Sequence, residues 1–329
     1  MSTSDTKRFC IGVDLGGTFI KLAVMAADDG QRYFGVTQVP TPAGSGEAVV
    51  KAMADGARGL MAAHQIDPAD VLGVGVGSPG PLDLRRGVVV GAPNIPGLDG
   101  MPLRDRLAEM LELPVALEND ANAAALGEFS FGAGRDARSM VLLTLGTGIG
   151  GGIVLDGKVV HGARDFAGEI GHMIVVPDGR PCKCGQRGCL EQYSSAGAIA
   201  ATAAAAIADG ANSSLAGVLH QKGSLDAADV NAARRTGDEL AGKIWDQAVR
   251  YLALACVNLQ RVFDCDLIVM AGGLTKAGDD LIEPLREHYR QLDWSIGDQV
   301  TPLTIAELGP DAGVVGAAGV ALQAFGKRT

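Results

Sequence analysis

Twice in this chain an apolar, β-branched run meets a glycine-rich turn containing threonine and continues as a second apolar run. Phe9 to Leu15 reads FCIGVDL, Gly16-Gly17-Thr18 follows, and FIKLAVM runs from Phe19 to Met25. Later, Ser139 to Leu145 reads SMVLLTL, GTGIGGG occupies Gly146 to Gly152, and IVLDGKVV follows. What comes after each turn has the character of a strand and not the 3.6-residue period of a helix, so each copy predicts a strand–turn–strand hairpin. That argues against a dinucleotide-binding turn, whose glycines open a helix, and no Gly-Lys-Ser/Thr is present to make a P-loop. Two such hairpins well over a hundred residues apart predict two related half-structures serving one ligand.

Between and beyond the hairpins, strands alternate with helices. Gly46 to His64, Leu103 to Leu113, Ser195 to Ala208, Glu239 to Phe263 and Gly313 to Phe325 read as helices, with a further helix starting at Ala121 to Phe129. Val71 to Gly77, Val115 to Leu117 and Leu267 to Met270 read as strands, while Asp209 to Asp238 is polar and loosely patterned. The alternation predicts an α/β protein.

Composition narrows the ligand. A chain of 329 residues, 47% hydrophobic and 20% charged, is long enough for two domains with their own cores. The net charge is −10 with no basic run longer than a pair, which speaks against nucleic acid. A small anion remains compatible, because turn amides hold phosphates without basic side chains. No apolar run reaches the roughly 18 residues of a membrane span, and the polar Met1 to Arg8 has no signal-peptide core, so no membrane partner and a cytoplasmic location are expected.

Three of the six cysteines cluster as Cys182-x-Cys184-x4-Cys189, with His172 upstream. Three thiolates and one imidazole are the donor set of a closed, tetrahedral structural zinc site. The alternative, free thiols crowded into a polar loop, would invite oxidation. Gly185 and Gly188 let the loop curl; Cys10, Cys256 and Cys265 read as buried thiols of a reducing compartment. Asp120, at a strand end just before a helix, suits either an N-cap or a proton acceptor. Gly272-Gly273, after an apolar strand, suits a ligand contact or a helix start.

The sequence resembles the ROK family of sugar kinases, particularly its bacterial glucokinases, over nearly its whole length. The motifs are IGVDLGGTFIK (residues 11 to 21), GVGVGSPGPLD (73 to 83), GAPNIPGL (91 to 98), ENDANAAALGE (118 to 128), LGTGIGGGIVLDG (145 to 157), AGEIGHMIV (167 to 175), CKCGQRGCLE (182 to 191) and MAGGL (270 to 274). The resemblance implies a two-domain, actin-like ATPase (ribonuclease H-like) fold with an interdomain cleft. It divides the chain into residues 1–120, with 313–329 packing back, and residues 121–312 carrying the zinc loop.

It further implies ATP and Mg²⁺ as cofactors beside structural Zn²⁺. Asp14, Gly16, Gly17, Thr18 and Lys21 form a first ATP-phosphate loop, Gly146, Thr147 and Gly148 a second, and Gly272 and Gly273 lie near the nucleoside. Asn94, Asn119, Asp120, Glu169, His172 and Glu191 bind the sugar, with Asp120 as general base for phosphorylation of the glucose 6-hydroxyl. His172 binds zinc through one ring nitrogen and faces the sugar with the other. His64, His161, His220 and His288 lie outside every motif and read as surface or packing residues.

The competing readings are a family kinase for N-acetylmannosamine, N-acetylglucosamine, fructose or allose, a sugar-responsive repressor, and a non-catalytic sugar-binding regulator. Only eight polar residues precede Phe9, which leaves no room for a repressor's helix-turn-helix, and intact glycine loops with Asp120 weigh against a binding-only protein. The resemblance also implies a homo-oligomer, commonly a dimer.

Overall fold

The computed structural model describes residues 8–27, 32–92, 95–293 and 300–326. In chain order, β1 (Phe9–Leu15), β2 (Phe19–Ala26) and β3 (Tyr33–Pro40) precede α1 (Gly46–Ala63) and β4 (Val71–Ser78). The short β5 (Leu82–Asp83) and β6 (Val88–Val89), α2 (Leu103–Leu111), β7 (Val115–Asn119) and α3 (Asp120–Phe131) follow. Next come β8 (Ser139–Leu145), β9 (Ile149–Leu155), β10 (Lys158–Val159), α4 (Glu191–Ser194), α5 (Ala196–Ala208), α6 (Leu215–Lys222), α7 (Ala227–Arg235) and α8 (Glu239–Phe263). The chain ends with β11 (Leu267–Ala271), α9 (Asp279–Leu292), β12 (Leu303–Ile305) and α10 (Ala312–Phe325).

The repeat anticipated from the two hairpins extends to whole sheets. One sheet has the order β3-β2-β1-β4-β7 and the other β10-β9-β8-β11-β12, so each places its first hairpin strand in the centre and two later strands beyond it. In the first, β1 and β2 are antiparallel, with Asp14 opposite Lys21, while β1, β4 and β7 run parallel. In the second, β11 runs parallel to both β8 and β12. The parallel register sets Asp14 beside Gly77 and Gly77 beside Glu118, so the carboxyl ends of β1, β4 and β7 finish level. Thr144 and Ala271 are likewise paired at the ends of β8 and β11. In open α/β sheets this edge is where ligands bind.

Cα packing divides the chain into two units: Met1–Asp136, Gly152–Gly168 and Glu307–Thr329 in the first, Ala137–Gly151 and Glu169–Ala306 in the second. The boundary expected at Asp120 therefore differs from the packing, which keeps residues 121–136 and 152–168 with the N-terminal sheet. The reason is α10. Alternation along β1 sends Ile11 and Val13 to a core with Val49, Val50 and Met53 of α1 and Leu103 and Leu107 of α2. It sends Cys10 to the opposite face, against Val314, Val315 and Ala318 of α10. The sheet is thus buried on both sides, and each Ile, Val or Leu so placed contributes about 1.5–3 kcal/mol. The approach of α10 is at backbone distance. A Cβ on Gly75 would lie 1.8 Å from the Ala317 carbonyl oxygen, and one on Gly316 1.6 Å from that of Ala123 in α3. These small residues hold α3 and α10 together with the first sheet.

In the second unit Met140 to Leu143 and Ile268 to Met270 are fully buried, as continuous apolar runs in parallel strands require. The long α8 starts at Asp238, whose side chain accepts from the Ala241 amide at 3.0 Å, and Trp245 from this helix donates to the Asp280 carbonyl at 3.0 Å. The polar stretch from Asp209 to Asp238 contains α6 and α7. β9 begins at Ile149, earlier than the strand expected after Gly152, because the turn is confined to Gly146–Gly148. Gly152 is a strand residue: its missing side chain makes room for α3, where a Cβ would meet the Ala125 methyl at 2.5 Å.

Candidate active site

Asp14 closes β1 at the mouth of the first glycine turn. The turn is tight, with the Gly16 amide donating to the Phe19 carbonyl at 3.0 Å, and Thr41 Oγ1 and N bracing it through the carbonyls of Gly16 and Thr18. Gly17 and Thr18 are exposed at its tip. Burial pushes the Asp14 carboxyl up to about 6; the charge of Asp120 raises it further and that of Lys21 opposes the shift. Asp14 and Asp120 are therefore electrostatically coupled within the first unit. A neighbouring divalent cation would relieve both the burial and the repulsion. Lys21 is not a loose cation above the turn: its Nζ donates to the Pro310 carbonyl at 2.6 Å and pairs with Asp311 at 3.2 Å, at the start of α10.

At the junction between β7 and α3 the capping role falls to the residue before Asp120. The cap is Asn119, whose Oδ1 accepts from the amides of Ala121 at 2.9 Å and Asn122 at 3.2 Å. Asp120 is thus the first helical residue, with Oδ1 2.8 Å from the Ala121 amide, and the helix does not need it as a cap. Behind the junction the carboxylate of Glu118 is 5% exposed. It accepts from the Asn119 amide at 2.9 Å and from Asn122 Nδ2 at 3.0 Å, and its second oxygen lies 2.7 Å from His161 Nε2. Neither Glu118 nor His161 was singled out from sequence. Glu118 offered a signal, a carboxylate ending an apolar strand; His161 offered none. Asn94 lies outside the described residues.

In the second unit the turn after β8 rests on α4 and α5. The Gly146 amide donates to the Gly148 carbonyl at 2.9 Å, and the Gly146 carbonyl accepts from the Ala196 amide at 2.9 Å. Glu191 Oε2 accepts from the Ile149 amide at 2.9 Å and sits where a Cβ on Gly148 would fall, 2.3 Å away. Gly272 has φ +89° and would press a Cβ into the Leu145 backbone at 2.6 Å, so glycine is required there, whereas the space beside Gly273 is open.

The cysteine loop assembles as a metal cage. The ligand atoms of His172, Cys182, Cys184 and Cys189 all lie within 4.8 Å of one another. His172 Nδ1 is 3.7 Å from Cys182 Sγ, and the sulfurs of Cys184 and Cys189 are 3.7 Å apart. Zinc held at about 2.3 Å by sulfur and about 2.0 Å by nitrogen sets its tetrahedral ligands about 3.5–3.8 Å apart, so the donor set fits the ion. Without a cation, burial and then the neighbouring thiols push the Cys189 thiol up to about 12. The other face of the imidazole is turned away from the sulfurs, with Nε2 3.9 Å from Glu169, whose side chain is 59% exposed. Glu169, His172 and the cysteines thus come together in one cluster. The loop delivers Glu191 directly from Cys189-Leu190, since α4 begins there.

Comparison with known proteins places these features in a family. The sequence profile of the ROK family matches residues 10–324. A glucokinase of Halalkalibacterium halodurans is 40% identical over 311 residues, covering 94% of this chain and 93% of that protein. Among solved structures, a ROK hexokinase from Thermus thermophilus is 38% identical with a TM-score of 0.84, covering 96% of this chain and 98% of the other. A ROK family glucokinase from Streptomyces griseus, in complex with glucose and AMPPNP, is 35% identical with a TM-score of 0.76, covering 96% and 99%. The fold is accordingly the mixed α/β, two-domain actin-like ATPase fold, and this chain belongs to the ROK family.

Proposed function

We propose that this protein is an ATP-dependent glucokinase that phosphorylates the 6-hydroxyl of glucose. The observation that carries the reading is the β7–α3 junction, where Asn119 takes the capping role and leaves the Asp120 carboxylate at the carboxyl end of a parallel sheet, coupled to Asp14. Resemblance to glucokinases, one with glucose and AMPPNP bound, supports the substrate pair.

Asp120 accepts the proton of the sugar hydroxyl and aims its oxygen at the γ-phosphorus. Asp14, with its raised carboxyl, suits the magnesium of MgATP. The amides of the Gly16–Thr18 and Gly146–Gly148 turns supply donors for phosphate oxygens, and Gly273, with open space beside it, suits the nucleoside. Asn119 Nδ2, Asn94, Glu169, His172 Nε2 and Glu191 form the hydroxyl-binding set. His172 Nδ1, Cys182, Cys184 and Cys189 would hold zinc, and that bond would fix the tautomer and tilt of the imidazole. A cytoplasmic location is part of this reading; no helix among the described residues is long and apolar enough to cross a membrane. A homo-oligomer, commonly a dimer, completes the reading by family likeness.

The deciding experiment is a coupled ADP-release assay with MgATP and glucose, mannose, fructose, N-acetylglucosamine and N-acetylmannosamine. Preferred turnover of glucose is the expected result. Preference for an N-acetyl sugar would replace the substrate, and no turnover of any sugar by folded, zinc-loaded protein would remove the kinase reading.

A further inference from the structure

The strongest unassigned feature lies behind Asp120. A buried carboxylate is costly unless its charge and lone pairs are matched. Glu118 is matched on every side by groups that bear on the β7–α3 junction: the Asn119 amide, the Asn122 side chain and His161. The Asn122 amide orientation follows from this, since its Nδ2 must meet the carboxylate. His161 comes from the loop after β10, which is itself anchored. The Val160 amide donates to the Ile153 carbonyl at 2.9 Å, the Ala167 amide to the His161 carbonyl at 3.0 Å, and Asp165 Oδ2 accepts from the Leu84 amide at 3.1 Å.

We infer that Glu118 and His161 are positioning residues that hold the Asn119–Asp120 backbone in register for proton acceptance. The inference rests on the reading of Asp120 given above. His161 clamps the outer oxygen of Glu118, and the inner oxygen then holds the Asn119 amide and, through Asn122, the first turn of α3. Without the histidine the carboxylate loses its outer partner and its hold on the Asn119 amide loosens. The titratable groups facing His161 are Glu118 of β7 and Asp165 of its own loop; both are acidic, so the imidazolium is favoured, chiefly through the Glu118 hydrogen bond, over a wider pH range than an ordinary histidine.

The test uses the full-length, zinc-loaded enzyme with His161→Ala, His161→Gln, Glu118→Gln and Asp120→Asn, each scored as turnover per folded site. His161→Ala is expected to lower kcat about tenfold while the KM for MgATP stays within about twofold, because small misplacements of a reacting group are expensive and the nucleotide site is untouched. His161→Gln, which restores a donor to Glu118, should recover at least half of the lost turnover. If His161→Ala does not fold, Glu118→Gln, which keeps the shape and removes the charge, is read by the same criteria. Unchanged kcat per folded site, or a glutamine variant no better than alanine, overturns the inference and leaves a structural ion pair. Asp120→Asn separates the two levels: full activity in that variant overturns the proton acceptor itself, whereas an inactive Asp120→Asn beside an unimpaired His161→Ala overturns only the positioning role.

Discussion

Glu191 Oε2 accepts a hydrogen bond from the Ile149 amide at 2.9 Å, so the first residue of α4 also holds the backbone that leaves the second glycine turn. Gly148 is small because that carboxylate occupies the place of its side chain. Gly148→Ala should therefore displace Glu191 and distort the turn together. We expect kcat/KM for glucose to fall at least about tenfold, as a misplaced site group warrants. A Tm shift of only a few degrees should accompany it. Kinetics near those of the parent enzyme would show that the turn tolerates the displacement.

Asp120→Asn keeps the size of the side chain and removes the proposed proton acceptor. Turnover should fall by about 10²–10⁴ while glucose affinity, measured by calorimetry, stays within a few-fold. Loss of binding equal to the loss of turnover would reassign Asp120 to the sugar pocket alone.

The Asp14 carboxyl sits at about 6 against an ordinary 3.8. Because the folded value is the higher one, folding favours the protonated form; this group opposes stability above about 6 and the penalty fades as pH falls toward 3.8. Nucleotide binding has the opposite sign, since the carboxylate is the form that suits magnesium. The KM for MgATP should rise as pH falls through about 6, with the inflection moved lower once the cation is bound. Asp14→Asn should bind MgATP weakly at every pH, and a pH dependence surviving in that variant would assign the titration to another group.

The cysteine cage should carry about one zinc per chain by elemental analysis, as its four ligands demand. Chelation under reducing conditions should lower the Tm by several degrees and raise the KM for glucose more than that for MgATP, because His172 and Glu169 are the residues that lose their frame. An equal effect on both substrates would point to global unfolding. Cys184→Ser, at the exposed corner of the cage, should weaken metal retention with the least disturbance of packing.

Gly75→Ala is a stability test without a catalytic residue. Its Cβ would meet the Ala317 carbonyl at 1.8 Å, so α10 must retreat from the sheet. Denaturant unfolding should report a loss of about 3 kcal/mol, the upper range for overpacking. A loss below about 1 kcal/mol would mean that the helix shifts freely.

The boundary between what is local and what is not runs through the site. Periodicity and turn residues are local properties, which is why both hairpin turns, the span Glu239–Phe263 and the helix following Val115–Asn119 are legible from residues alone. The zinc donor set is legible for the same reason, since three of its members stand within eight residues. The assignment of Asp120 as proton acceptor comes from family likeness, because its local pattern fits a cap equally well. Tertiary structure decided that Asn119 is the cap, that Lys21 answers to Asp311 across 290 positions, and that His161 meets Glu118 across 43. It also decided which residues pack with the first sheet, because α10 closes on glycines and alanines whose smallness has meaning only once the facing backbone is in place. A sequence pattern records what each segment does to its own neighbours; a carboxylate's partner, a helix's docking face and a pKa depend on groups that only the folded chain brings within a few ångströms.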